Sequence, residues 1–168
     1  IGELYDFERY SVPVERGGRY FYTGNSGLQN QSPLYVRDSL DAEPRLLIDP
    51  NEWADDGATA LSGWVPSPDG SKLLYSVQDG GTDWRILHVL GVETGEQLSE
   101  EIRWAKFTSL AWVGNEGFLY SRFPEPEEGE DFQALNMDQA VYYHALGSEQ
   151  AEDQLVFATP DHPERNHT

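Results

Sequence analysis

The sequence predicts an all-β protein: part of a β-propeller, with about three four-stranded antiparallel blades. Three observations predict it. Over residues 20–50, the β-type runs Tyr20–Tyr22 and Pro33–Arg37 flank a polar Asn/Gly/Gln loop, and Arg45–Ile48 closes on Asp49-Pro50-Asn51. Variants of this unit recur twice downstream, as they do in propellers. Equivalent aromatics open the units at Tyr10, Trp64 and Trp112, steps of 54 and 48 residues, and His88 and His144 lie 56 apart. Such intervals suit repeats of roughly 40–50 residues. Finally, 12% aromatic content with 16 Gly and 10 Pro describes many short packed strands with turn punctuation, and argues against long helices or disorder.

The first unit opens with Tyr10–Pro13, turns at Glu15–Gly18 and rises as Arg19–Tyr22. Its second half is Leu34–Asp38, a turn through Asp41-Ala42-Glu43, then Arg45–Ile48. The second opens at Trp64-Val65-Pro66 and turns at Ser67-Pro68-Asp69-Gly70, where Pro presets φ and Gly tolerates φ > 0. Strands are predicted at Lys72–Val77 and Trp84–Leu90, with a last one ending near Gln97-Leu98. The third opens at Ala111-Trp112-Val113, turns at Gly114–Gly117, and continues as Phe118–Arg122, a long acidic loop, Ala140–Ala145 and Asp153–Ala158. The blades are accordingly placed at about residues 9–50, 58–104 and 108–160 of a single domain. A sandwich of eleven or twelve short strands is the competing fold. The triplicate order of landmarks favours blades.

Three blades are fewer than the four to eight that close a typical ring, and an open arc leaves an apolar face at each end. Either the natural polypeptide is longer or identical copies complete the ring. A start at Ile1-Gly2-Glu3, without Met or a basic leader, favours the longer chain and shows no signal peptide.

Charge narrows the partners. With 30 acidic against 11 basic residues the net charge is −19, a field that repels nucleic acid and anionic membranes. No apolar run approaches the ~18 residues of a membrane span. The chain has no cysteine, so it has no disulfide framework and no thiolate metal site. Cytoplasm is the first expected compartment, periplasm the second.

No catalytic residue is expected. G-x-S-x-G is absent, and Ser26 in Gly24-Asn25-Ser26-Gly27 has the wrong spacing and reads as a turn residue. No metal site or cofactor is expected either. His88, His144, His162 and His167 lack zinc spacing, and His88 and His144 are expected at equivalent strand positions. Asp55-Asp56 and Glu125–Asp131 do not match a calcium loop, and no P-loop or G-x-G-x-x-G occurs.

Words along nearly the whole chain carry a family resemblance. They include Glu3–Asp6, Arg19–Tyr22, Gly27–Gln31, Leu34–Leu40, Asp49–Asn51, Asp55–Gly57, Ser67–Gly70, Gly81–Trp84, Lys106-Phe107, Ala111-Trp112, Val141–His144 and Leu146-Gly147. In this order they resemble prolyl oligopeptidase, a serine peptidase family. The resemblance implies the first three blades of a seven-bladed propeller capping an α/β-hydrolase domain that carries the nucleophile. It implies a substrate-gating role in cleaving short peptides after proline, with this segment inactive alone. The implied partners are the remaining blades, the hydrolase domain and short proline-containing peptides. The position matching Phe107 lines an apolar substrate subsite in the family, and Trp84 and Asp83 lie in a matching loop near the cavity. At Ala60–Trp64, Ser62 replaces a basic residue found in some relatives. The competing function is a non-enzymatic propeller module completed by self-association.

Overall fold

The computed structural model describes residues 8–53, 58–130 and 136–168. Glu3–Asp6, Asp55–Gly57 and Asp131, named above, lie outside the described residues. The strands are β1 (Arg9–Tyr10), β2 (Val14–Arg16), β3 (Arg19–Asn25), β4 (Leu34–Arg37) and β5 (Arg45–Ile48). Then follow β6 (Ala60–Pro66), β7 (Lys72–Gln78), β8 (Arg85–Gly91) and β9 (Gln97–Ala105). The last are β10 (Ala111–Val113), β11 (Gly117–Arg122), β12 (Ala140–Ala145) and β13 (Gln154–Phe157). Among the described residues no helix is long and apolar enough to cross a membrane.

Strand pairing among the described residues is antiparallel, and within each unit it joins neighbours in sequence, except that β1 skips the short β2 to pair with β3. In the first group β3 pairs with β1, β2 and β4, and β4 with β5. In the second, β6, β7, β8 and β9 pair in order, and in the third β10 to β13 do the same. The second and third groups are joined through one residue pair, Arg122 of β11 with Ala105 of β9. This is a partial β-propeller built of three up-and-down antiparallel units.

Side-chain alternation explains why the units stack. On β7, Leu73 and Tyr75 point one way and Leu74 the other, because successive strand residues face opposite sides. The first set joins Phe21, Leu34, Val36 and Ile48 in one core, and the second joins Phe118 and Tyr120 in another. A strand buried on both faces reads as the continuous apolar run Leu73-Leu74-Tyr75. Each such buried Leu or Phe contributes about 1.5–3 kcal/mol. A two-layer sandwich has one core between its sheets; here the central unit is shared by two.

Three local predictions need correction. The opening strand is broken into β1 and β2, because Pro13 has no N–H to donate and Ser11 intervenes. The Ser11 N–H donates to Thr23 O at 2.9 Å while its Oγ accepts from Thr23 N at 2.9 Å, keeping the chain on β3 across the break. β9 runs nine residues, well past Leu98. The first of its buried positions, ahead of Ile102 and Ala105, is occupied by Glu100, which hides the alternation; Glu100 Oε1 accepts from Gly147 N at 2.7 Å. Trp84 lies in the turn before β8, which starts at Arg85.

Candidate functional site

Antiparallel order puts alternate connections on the same end of the sheets. One end therefore gathers the connections β7–β8, β9–β10 and β11–β12, which hold Trp84, Phe107 and the acidic loop. The β7–β8 turn closes when Thr82 N donates to Asp79 O at 3.1 Å and Gln78 Nε2 to Thr82 O at 3.0 Å. Trp84 N then donates to Thr82 Oγ1 at 3.1 Å, aiming the indole towards the next connection.

There it meets Lys106. The ammonium stands 4.0 Å from the Trp84 ring centroid and donates to Asn136 Oδ1 at 3.0 Å. Lys106 is 8% exposed, so the ring's negative face and one amide oxygen replace most of its water. Trp84 is edge-on to Trp104 at 5.6 Å and to Phe123 at 6.3 Å. Phe107 is edge-on to Phe123 at 6.5 Å. Phe123 is 3% exposed and Phe107 is 37% exposed, so Phe123 is the hidden hub and Phe107 the ring offered to solvent.

The structure thus brings two of the three expected site residues onto one aromatic cluster. Asp83 is exposed on the turn beside Trp84 and forms no part of the ring contacts. Sequence reasoning missed Trp104, Phe123, Asn136 and Gln139. Trp104 and Phe123 had a signal, each being an aromatic at a strand end beside a motif already singled out. Gln139 and Asn136 had none, because an amide that serves a distant loop is indistinguishable from a solvated one.

Ser26 lies in the β3–β4 turn, where its N–H donates to Gln29 Oε1 at 3.1 Å. His88 and His144 fall on the third strands of their units, in β8 and β12. Ser62 Oγ shares a 2.8 Å hydrogen bond with Ser76 Oγ.

At the opposite end a polar cleft of about 660 Å³ is lined by Arg19, Asp38, Arg45, Asp69 and Glu93. Its guanidiniums are already committed. Arg19 donates to Asp38, Gly70 O and Glu93, and Arg45 to Asp38 and Val92 O. The hydrogen bonds and charge of Arg45, then the charge of Arg19, hold the Asp38 carboxyl below the usual range. This cluster ties the first unit to the second rather than awaiting a ligand.

The family model described as "Prolyl oligopeptidase, N-terminal beta-propeller domain" matches residues 1–167. A prolyl endopeptidase of Elizabethkingia meningoseptica is 33% identical over 97% of this chain and 23% of its own length. A dual-function macrocyclase-peptidase of Galerina marginata is 30% identical over 95% of this chain and 25% of its own. Among solved structures, one from a study of two prolyl endopeptidases and their inter-domain dynamics superposes with a TM-score of 0.84 at 50% identity. It covers 94% of this chain, which spans 22% of that one. Prolyl oligopeptidase B of Galerina marginata, bound to a 35mer substrate, superposes at 0.85 with 28% identity, over 95% and 25% of the two chains. The chain thus spans about a quarter of the length of the relatives it matches.

Proposed function

The chain belongs to the prolyl oligopeptidase family, as its N-terminal β-propeller domain, and on that premise we propose that it gates substrate in a serine oligopeptidase cleaving short peptides after proline. The carrying observation is Phe107, the exposed ring of an aromatic cluster whose hub, Phe123, is buried and whose two indoles, Trp84 and Trp104, are partly buried, at one end of the sheets. The propeller covers the active site, admits short unfolded peptides and excludes folded proteins. Phe107 offers them apolar surface, with Trp84 behind it and Asp83 at its margin.

In this reading the remaining blades and an α/β-hydrolase domain belong to the same polypeptide, and the nucleophile lies in the latter. The family match accounts for residues 1–167 as propeller alone, which supports assigning these residues no catalytic step. The blades are taken as residues 9–50, 58–104 and 108–160 of a seven-bladed ring. No cofactor or metal is required, and the cytoplasm is the proposed compartment, ahead of the periplasm.

The test compares two samples. The full-length protein is expected to cleave short peptides on the carboxyl side of proline, read by mass spectrometry, and to leave folded proteins intact. The 168-residue chain alone is expected to cleave neither. Turnover by a pure sample of the chain, or cleavage by the full-length protein elsewhere than at proline, would defeat the proposal.

A further inference from the structure

We infer that Gln139 is the positioning residue for Phe107, clamping the loop that carries this ring to the segment around His167. The inference rests on the reading of Phe107 as the ring offered to substrate. It begins from the backbone: among the described residues, the non-glycine residues with positive φ are Trp104 (63°), Phe107 (50°) and Asp138 (61°), all in or beside the β9–β10 and β11–β12 connections. A phenylalanine in the left-handed region persists only where its surroundings over-determine it.

Gln139 supplies that determination. It is 2% exposed, and its Nε2 donates to Lys106 O at 2.8 Å and to Phe107 O at 3.4 Å. Its Oε1 accepts from His167 N. Next to it, Asp138 N donates to Pro163 O at 2.7 Å, so the start of β12 and the 163–167 segment are joined twice. The chemistry needs an amide, since one end must donate to carbonyls while the other accepts from an N–H. A carboxylate has the same shape but would face two carbonyl oxygens without a proton to give.

The experiment uses the full-length protein and short proline-containing peptides. Gln139→Glu is expected to raise KM about tenfold with little change in kcat, the scale of a misplaced apolar contact, and to lower the melting temperature, because the buried carboxylate loses both donated hydrogen bonds. Phe107→Ala is expected to raise KM similarly, and the double variant no further, because Gln139 acts through the ring. A crystal structure of the Gln139→Glu protein is expected to show Phe107 displaced from its left-handed conformation. Additive effects, or an unmoved Phe107, would overturn the inference. Should Gln139→Glu not fold, Gln139→Asn keeps both ends at shorter reach, and its KM and crystal structure are read in the same way. If the parent protein cleaves nothing after proline, only the functional reading falls, and the position of Phe107 in the variant crystal still decides this one.

Discussion

Tyr120, His144 and Asp153 meet inside the third unit with almost no water. Tyr120 Oη donates to Asp153 Oδ2 at 2.6 Å and His144 Nδ1 lies 2.6 Å from Asp153 Oδ1, with both His144 and Asp153 side chains buried. Burial, then the hydrogen bond to Asp153, pushes the Tyr120 hydroxyl well above its ordinary range, so it stays a donor at every working pH. The second unit has an uncharged counterpart: Tyr75 Oη donates to Gln97 Oε1 at 3.0 Å, and Gln97 Nε2 lies 3.1 Å from His88 Nδ1. In both, a tyrosine of the second strand and a histidine of the third share one polar group at or before the fourth. The carboxylate makes the third unit's version more demanding. Tyr120→Phe leaves a buried oxygen with one partner fewer and is expected to cost about 1–3 kcal/mol in urea unfolding. An unchanged midpoint would show that the hydroxyl contributes nothing net.

The turn between β6 and β7 shows what a short element contributes. Asp69 Oδ1 accepts from Ser67 Oγ at 2.7 Å, Ser71 N at 2.9 Å and Ser71 Oγ at 2.7 Å. Partial burial alone would raise its carboxyl, but the Ser71 and Ser67 donors outweigh it and hold the group down at about 2. At Gly70, φ is +70° and an added Cβ would lie 2.3 Å from Arg16 O, so only glycine fits against the β2–β3 turn. Asp69→Ala is expected to cost on the order of 1 kcal/mol, reduced by solvent screening. Because the folded carboxyl lies below its unfolded value, this contribution is complete above about pH 4 and fades as the pH falls towards 2. Parent and variant stabilities are therefore expected to converge in acid; a constant difference across that window would refute the assignment.

At the scale of the whole molecule, the outer face of the first unit is the conspicuous feature. Tyr22 stacks on Tyr35 at 5.7 Å, and Tyr10 meets Tyr22 edge-on at 6.1 Å. Yet Tyr10 remains 64% exposed, while Trp64 and Trp112, the openers of the later units, pack against the cores between units. Trp112 also donates to Val65 O at 2.9 Å. The repeated aromatic has a preceding unit to cover in two cases and none in the first, where a groove of about 450 Å³ lined by Tyr10, Pro13, Tyr22 and Leu40 lies open. Light scattering on the isolated 168-residue chain is therefore expected to show association that deepens with salt, as its net charge of −19 is screened. Irregular aggregates accord with a segment lacking its neighbouring blades, and a discrete dimer with the self-associating module. A stable monomer in concentrated salt would contradict an uncovered apolar face.

Strand identity was legible because β structure writes itself locally: β4, β5, β10 and β12 lie where alternation and turn residues put them. Phe107 and Trp84 were legible only through resemblance, since an aromatic beside a turn carries no local sign of what it faces. Composition and periodicity determined an all-β chain of repeated units, because both depend on residues close in sequence. Tertiary structure alone decided that Glu100 is a buried strand position, that Phe123 joins Trp84 to Phe107, and that Gln139 holds the Phe107 loop. Each of those depends on contacts between residues tens of positions apart. Such contacts come from stacking sheets, and no local pattern encodes them.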